Sequence, residues 1–171
     1  MTDYYPSVID ENYIAGLGEV SIRRIEEKNP DIDTSSIYDE WGEMAPEIQA
    51  MVMWRWQIEV ESEDDYVFPA GDLSAHAVWY GPTVASKAMN IGIGIAKEYR
   101  GRGIGAISQR LLAQELHGQG FARVEAQTDV ENIAEQKSLK KAGFHLEGVA
   151  RKAQGRADGI HDLQVWSHIS E

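Results

Sequence analysis

The sequence predicts an α/β domain, and three observations carry that prediction. From Lys87 onward, stretches with a period of two alternate with stretches that repeat every three to four residues, in the order strand, helix, strand, helix, strand, strand. Both changes from strand to helix fall on turn or cap chemistry, "RGRGIG" at Arg100–Gly105 and Asn132 before "IAEQKSLKK". A chain of 171 residues with 43% hydrophobic side chains suffices for one core, so residues 1–171 are expected to form a single domain.

The elements follow in order. Residues 1–18 are polar and irregular. "EVSIRRI" (Glu19–Ile25) alternates weakly and predicts a first strand. "EEKNPDIDTSS" is loop or short helix, broken at Pro30. "APEIQAMVMWRWQIEVESE" from Ala45 has no internal Gly or Pro beyond its first turn and predicts a helix, with Ile48, Met51, Val52 and Arg55 on one side and Trp54 and Ile58 near another. "DYVFPAGDLSAHAVWYGP" holds one or two strands ending at Gly81-Pro82. "KAMNIGIGIA" alternates strictly, with Met89, Ile91, Ile93 and Ile95 on one face and Asn90, Gly92 and Gly94 on the other. The glycine face is flat, which suits a close approach to the backbone. Ile104, Ile107, Leu111 and Leu112 then keep helical spacing up to Gly118 and Gly120. "FARVEAQTDV" reads as a strand. The helix after it ends at Gly143 with lysines in its last turn, as the helix dipole prefers. The remainder predicts two strands joined around Asp158-Gly159, with Leu163, Val165 and Ile169 on the face opposite Asp162, Gln164, Trp166 and His168.

Composition limits the function. There are no cysteines, which removes disulfides, thiolate metal sites and a cysteine nucleophile, and which fits a cytoplasmic protein. No apolar run reaches membrane-spanning length, and Met1–Asp10 shows no secretory signal pattern. The five histidines show no metal-ligand spacing, so no metal is expected. The formal charge of −12 is lopsided: residues 1–86 hold 18 acidic and 4 basic side chains, and residues 87–171 hold 10 and 12. The acidic part repels nucleic acid and anionic lipid and attracts cations, or else serves as a soluble coat.

The turn Arg100–Ala106 concentrates the chemistry. A helix start leaves backbone N–H groups unpaired and partly positive. Gly101, Gly103 and Gly105 let those groups close on a phosphate, and Arg100 and Arg102 add charge beside it. The alternative is a tight connection with solvated arginines. Gly101-x-Gly103-x-x-Ala106, with Asp129 beyond, also matches the dinucleotide pattern. A dinucleotide fold would need further strand–helix units after Asp129, and the 42 residues left read as one helix and two strands.

The same residues spell R-x-x-G-x-G from Arg100 through Gly103 to Gly105. With "NIGIGIAKEYRGRGIG", "RVEAQTDVENIAEQKSLKKAGFHLEG" and "GIHDLQVWSHI" in this order, the chain resembles the GNAT superfamily of N-acetyltransferases, its ribosomal-protein-acetylating branch in particular. The resemblance covers residues 66–170, an acetyl-CoA-binding core; residues 1–65 match weakly and would be the acceptor side. It implies a mixed, mostly antiparallel central sheet with a splayed strand pair and flanking helices. It implies acetyl-CoA as co-substrate, with pyrophosphate on Gly101, Arg102, Gly103, Ile104 and Gly105 beside Arg100. The pantetheine arm would run along Ile95, Ala96 and Lys97. Asn132 matches the family's CoA-contacting asparagine and is equally an N-cap. Lys137, Lys140 and Lys141 reach the nucleotide phosphate or are simply solvated.

The family's proton donors do not carry over, because Glu135 and Leu139 occupy the positions of its Ser and Tyr. A thiol pKa near 8.5 makes the thiolate a fair leaving group even with solvent as acid. His76, in "DLSAHAVWYGP" on the strand that resembles the family's third, is the candidate base, or a hydrogen-bonded strand histidine. Asn90 is a candidate substrate contact. His161 and Asp162 are adjacent in a strand, so they face opposite ways and make no dyad. Glu98, Glu131 and Glu135 read as surface residues. The expected activity is acetyl transfer from acetyl-CoA to a primary amine of a protein N-terminus, a polyamine or an amine-bearing small molecule, by direct attack in a ternary complex. The acceptor is cationic given the acidic first half, with no nucleic acid or membrane partner and a homodimer left open. The alternative is a CoA-binding module or sensor without turnover.

Overall fold

The computed structural model describes residues 11–171, so the readings made for residues 1–10 lie outside it. One eight-stranded sheet organises them: β1 (Tyr13–Ile14), β2 (Gly18–Ile25), β3 (Trp54–Glu61), β4 (Val67–Trp79), β5 (Lys87–Ile95), β6 (Arg123–Asp129), β7 (His145–Arg156) and β8 (Gly159–Ile169). They lie in the order β1-β2-β3-β4-β5-β6-β8-β7. Only β5 and β6 pair in parallel among the described strands; every other neighbouring pair is antiparallel. The helices are one turn, α1 (Pro46–Gln49), and two longer ones, α2 (Ile104–Gly118) and α3 (Ile133–Lys141). A dinucleotide sheet needs several adjacent parallel strands, so the match at Gly101–Ala106 is coincidental. The strand–helix order expected from Lys87 onward is the order found.

The reading of Ala45–Glu63 as a helix is corrected. Only Pro46–Gln49 is helical, and Trp54–Glu61 is a strand paired along its length with both β2 and β4. The physical reason is visible in "WRWQIEVE", where Trp56, Ile58 and Val60 alternate with Gln57, Glu59 and Glu61. All three apolar side chains of that set are fully buried. A second correction falls in β8: Trp166, assigned to the polar set, faces the core opposite Ala126, while Ile169 of the apolar set is exposed. The indole can do this because its Nε1 donates to Gln164 Oε1 at 3.0 Å.

The core lies between one face of the sheet and the two helices. Trp56, Ile58, Val60, Leu73, Ala75, Ile91, Val124 and Ala126 meet Ile104, Leu112 and Leu116 of α2 and Leu139 of α3. The indole of Trp56 also donates to Glu115 Oε1 on α2, at 3.0 Å. The other face of the central strands is polar, carrying Asp72, Ser74 and His76 on β4, Asn90 on β5, and Glu125 and Gln127 on β6. Any reaction at the sheet therefore has an apolar, helix-covered side and a polar side.

Candidate active site

The parallel pair β5–β6 holds together for only three residue pairs, Met89–Val124, Asn90–Glu125 and Ile91–Ala126. Beyond them β5 stays with β4 as far as Ile95–Gly71, and β6 stays with β8 as far as Asp129–Leu163. A gap therefore opens between Gly92–Ile95 and Gln127–Asp129, the splay that the resemblance implied. The Ala96 N–H donates to Ala70 O on the β4 side, at 2.9 Å. Strand backbone groups alternate sides, so the N–H and C=O of Ile93 and Ile95 turn toward the gap. Of the three residues expected to line a ligand arm, Ile95 is at the gap edge. Ala96 has its N–H bound to Ala70, and the Lys97 N–H is directed to Asp33 O at 3.4 Å. Ile93 was missed, although the strict alternation of "KAMNIGIGIA" already placed it in phase with Ile95.

At the wide end of the gap stands the glycine turn. Gly101 and Gly103 have φ of 74° and 92°, in the left-handed region, and a Cβ on either would meet no atom within 4 Å. Gly103 is the N-cap of α2 and supplies no side-chain cap, and no acidic residue sits in the first turn. No side chain caps the first N–H groups of this 15-residue helix, a condition for holding an anion. The residues present fit a pyrophosphate. Gly105 is tight for another reason: its Cβ would lie 3.0 Å from Ser138 Oγ and 3.7 Å from Ile93 Cδ1, where α2, α3 and β5 converge. Ile104 behind it is buried in the core.

The two arginines divide. Arg102 is exposed and forms no hydrogen bond or ion pair among the described residues. Arg100 is engaged: Nε donates to Ile95 O at 3.0 Å, and one terminal nitrogen donates to Thr34 O at 3.1 Å and Ser35 O at 2.7 Å. On the far rim, Asn132 caps α3, its Oδ1 accepting from the Glu135 N–H at 3.2 Å, so its capping role is realised. Lys137, Lys140 and Lys141 are exposed.

At the root of the gap, His76, Asn90 and Glu125 sit opposite one another on three successive strands, on the polar face. Neighbouring side chains in such a row lie within about 5 Å at Cβ, and the two end members about twice as far apart. His76 is half-buried and makes no hydrogen bond or ion pair with another side chain among the described residues. Burial pulls its pKa below the usual histidine value, and the Glu125 charge partly opposes that. It is thus neutral at pH 7 and able to accept a proton. Glu125 is buried and bound to the Tyr80 hydroxyl and Arg123 Nε. His161 reaches Asp158 Oδ1 at 2.8 Å and Asp129 Oδ2 at 3.1 Å, and Asp162 accepts from the Lys152 N–H at 2.7 Å. The two make no dyad, as their strand positions predicted.

Glu98 and Glu131 are exposed as expected, but Glu135 is partly buried. Its carboxyl lies at the α2–α3 contact, where it accepts from Gln109 Nε2, and burial pushes its pKa up to about 7. Gln109 Oε1 in turn accepts from Ser138 Oγ at 2.8 Å. Leu139 is wholly buried in the core, so the family's Tyr position offers no acid here. Among the described residues no group of His, Asp and Glu is arranged to hold a metal ion, and no helix is long and apolar enough to cross a membrane.

Comparison with known proteins agrees with this architecture. The chain is similar to the RimL ribosomal L7/L12 α-N-protein acetyltransferase in complex with coenzyme A, at 24% identity over 71% of this chain and 64% of that one, with a TM-score of 0.57. It is similar to Mycobacterium smegmatis RimJ in complex with CoA-disulfide, at 20% identity over 69% and 53%, with a TM-score of 0.57. It is also similar to the microcin C7 self-immunity acetyltransferase MccE in complex with acetyl-CoA and AMP, at 24% over 69% and 61%, with a TM-score of 0.56. The aligned part spans less than two thirds of each of these proteins, and at these identities the likeness is one of fold. No curated protein matches the chain in sequence. The family model for the acetyltransferase (GNAT) domain matches residues 10–145, which include the splayed strands, the glycine turn and the capped helix, and this chain belongs to that family.

Proposed function

We propose that this protein is an acetyl-CoA-dependent N-acetyltransferase that moves the acetyl group to a primary amine by direct attack within a ternary complex. The observation that carries the reading is the junction of two features. The gap between β5 and β6 exposes strand N–H groups, and its wide end meets a glycine-built helix start suited to a pyrophosphate. CoA is a pyrophosphate joined to an extended amide-bearing arm, and this junction matches it part for part. The CoA and acetyl-CoA complexes of RimL and MccE support the same ligand class.

The chemistry follows from the residues. Gly101–Gly105 and Arg102 hold the pyrophosphate, and the arm extends along Ile93 and Ile95 toward the root of the gap. There the thioester carbonyl faces a strand N–H, which stabilises the oxyanion as the amine adds. The amine must be neutral to attack; His76, uncharged at pH 7, takes its proton directly or through water while Asn90 orients it. The nitrogen lone pair forms the C–N bond, the C–S bond breaks, and solvent protonates the departing thiolate. With no cysteine in the chain and no other evident activated nucleophile, an acyl-enzyme has little support. The acidic first half favours a cationic acceptor such as a protein N-terminus or a polyamine.

Calorimetry with CoA, acetyl-CoA and NADPH, followed by turnover on a panel of amines at several ionic strengths, tests this. CoA binds and NADPH does not. At saturating acetyl-CoA, salt raises the KM of the amine, since screening acts over about 10 Å at 0.1 M. NADPH binding without CoA heat overturns the reading, and CoA binding without turnover on any amine leaves a binding module. If His76 is the base, His76→Ala lowers the rate at neutral pH by about 10²-fold. The acid limb of the pH profile, set below the usual histidine value, disappears with it. An unchanged rate and profile returns His76 to a structural role.

A further inference from the structure

The segment after β2 runs across the open end of the gap on its polar face. On the β5 rim, Thr34 is buried against the flat glycine strand; a Cβ on Gly94 would stand 2.7 Å from Thr34 Cβ. Thr34 Oγ1 also accepts from Lys28 Nζ at 2.8 Å, and Lys28 pairs with Asp72 at 3.1 Å. Asp33 pairs with Lys97 at 2.9 Å. Arg100 closes this rim through Thr34 O, Ser35 O and Ile95 O.

On the β6 rim the partners are different. The Tyr38 hydroxyl donates to Glu131 O at 3.4 Å, just beyond β6. The Tyr38 ring lies 5.6 Å from the Arg156 guanidinium, which is buried in an ion pair with Asp129, the last residue of β6. The Ala157 N–H donates to Glu40 O at 2.8 Å. The chain from Asp33 to Glu40 is therefore tied to both rims and spans the space between them. α2 and α3 close the opposite, apolar face where Gly105, Ser138 and Ile93 meet. What stays open on the polar face is Gly92, which is exposed, with Ser74, Asn90 and His76 around it.

We propose that Arg100 is a positioning residue: it holds the Asp33–Glu40 strap across the acceptor side of the gap and does not grip the CoA pyrophosphate. This rests on the acetyl-transfer reading. An arm of CoA lying in the gap is covered by the strap at its wide end, so an amine reaches the thioester only past Gly92, Asn90 and His76. The strap edge then fixes where the amine stands. The guanidinium suits the task because its planar fork serves several carbonyls at once, which a single ammonium does less well. The exposed Asp33–Lys97 pair contributes little to the clasp beside these bonds.

The test compares Arg100→Ala, Arg100→Lys and Arg102→Ala in the full chain. Hydrogen exchange of residues 33–40 is measured together with CoA affinity by calorimetry and steady-state kinetics on an accepted amine. Arg100→Ala speeds exchange in the strap and raises the amine KM about tenfold or more, as expected for losing charge-assisted hydrogen bonds, with CoA affinity little changed. Arg100→Lys recovers part of the protection and of the KM. Arg102→Ala does the reverse, weakening CoA while the strap keeps its protection. If Arg100→Ala weakens CoA as much as Arg102→Ala does and leaves strap exchange unaltered, Arg100 is a phosphate ligand and the proposal is wrong. Should Arg100→Ala fail to fold, Tyr38→Ala releases the other rim and must show the same rise in exchange and amine KM; an unchanged strap there also overturns the proposal. The exchange measurement needs no turnover, so failure of the acetyl-transfer reading is seen separately, as a wild-type protein that acetylates no amine.

Discussion

Gly103→Val is expected to cost about a hundredfold or more in CoA affinity, through a side chain that touches nothing in the protein itself. Gly103 sits at φ 92°, where a β-branched residue is strained, and a Cβ there points into space empty of protein atoms for 4 Å. The added methyl groups therefore cost little in packing. They occupy the volume a phosphate oxygen must enter to reach the first N–H groups of α2. Arg102→Ala removes only one exposed charge and weakens binding less. Gly120→Val separates strain from blockage: φ is 95°, nothing lies within 4 Å of its Cβ, and it sits past the far end of α2. It should lose comparable stability and keep CoA affinity. Calorimetry on variants matched by circular dichroism reads the result. Equal affinities for wild type and Gly103→Val would remove the glycine turn from the ligand site.

Features set by short-range chemistry were legible in the sequence. The cradle is one, because three glycines and a helix start within six residues leave few other solutions. The Asn132 cap and the two-strand ending around Asp158-Gly159 are others. Misreadings came where distant parts of the chain decide. Trp54–Glu61 lacks a breaker and passed for helix, yet its period of two was written in the residues and only pairing with β2 and β4 makes it decisive. The sequence offers Arg100 as a cation beside the glycine turn. Its direction is set by the carbonyls of Thr34 and Ser35, more than sixty positions earlier, which no local motif reports. The splay itself is also non-local. "KAMNIGIGIA" predicts a strand, but that it parts from β6 after Ile91 is a property of the sheet.

Glu135 was misread for the same reason, and it gives the largest expected effect on stability. Helical spacing and charge put it on a solvated face; the packing of α3 on α2 buries its carboxyl beside Gln109. Burial penalises the ionised form, so the folded protein holds the proton up to a pKa of about 7, against 4.5 for an ordinary glutamate. A raised carboxyl pKa means that the folded state binds the proton more tightly than the unfolded chain. The stabilisation is then complete below about pH 4.5 and is lost as pH rises toward and through 7. At about 1.4 kcal/mol per pKa unit the full swing is about 3 kcal/mol. Glu135→Gln keeps the shape and an acceptor oxygen for Gln109 and cannot ionise, so this carboxyl's share of the pH dependence vanishes and the variant's stability should exceed that of wild type at pH 8. The histidines do not imitate the effect. Burial lowers the pKa of His76 and His168, so their contribution to stability falls as pH drops, the opposite sign. Urea unfolding of both proteins from pH 4.5 to 8 makes the comparison, and the difference between the two curves isolates the one carboxyl. Parallel curves would mean that burial at the α2–α3 contact does not raise the Glu135 pKa and that the carboxyl stays ionised in the folded protein.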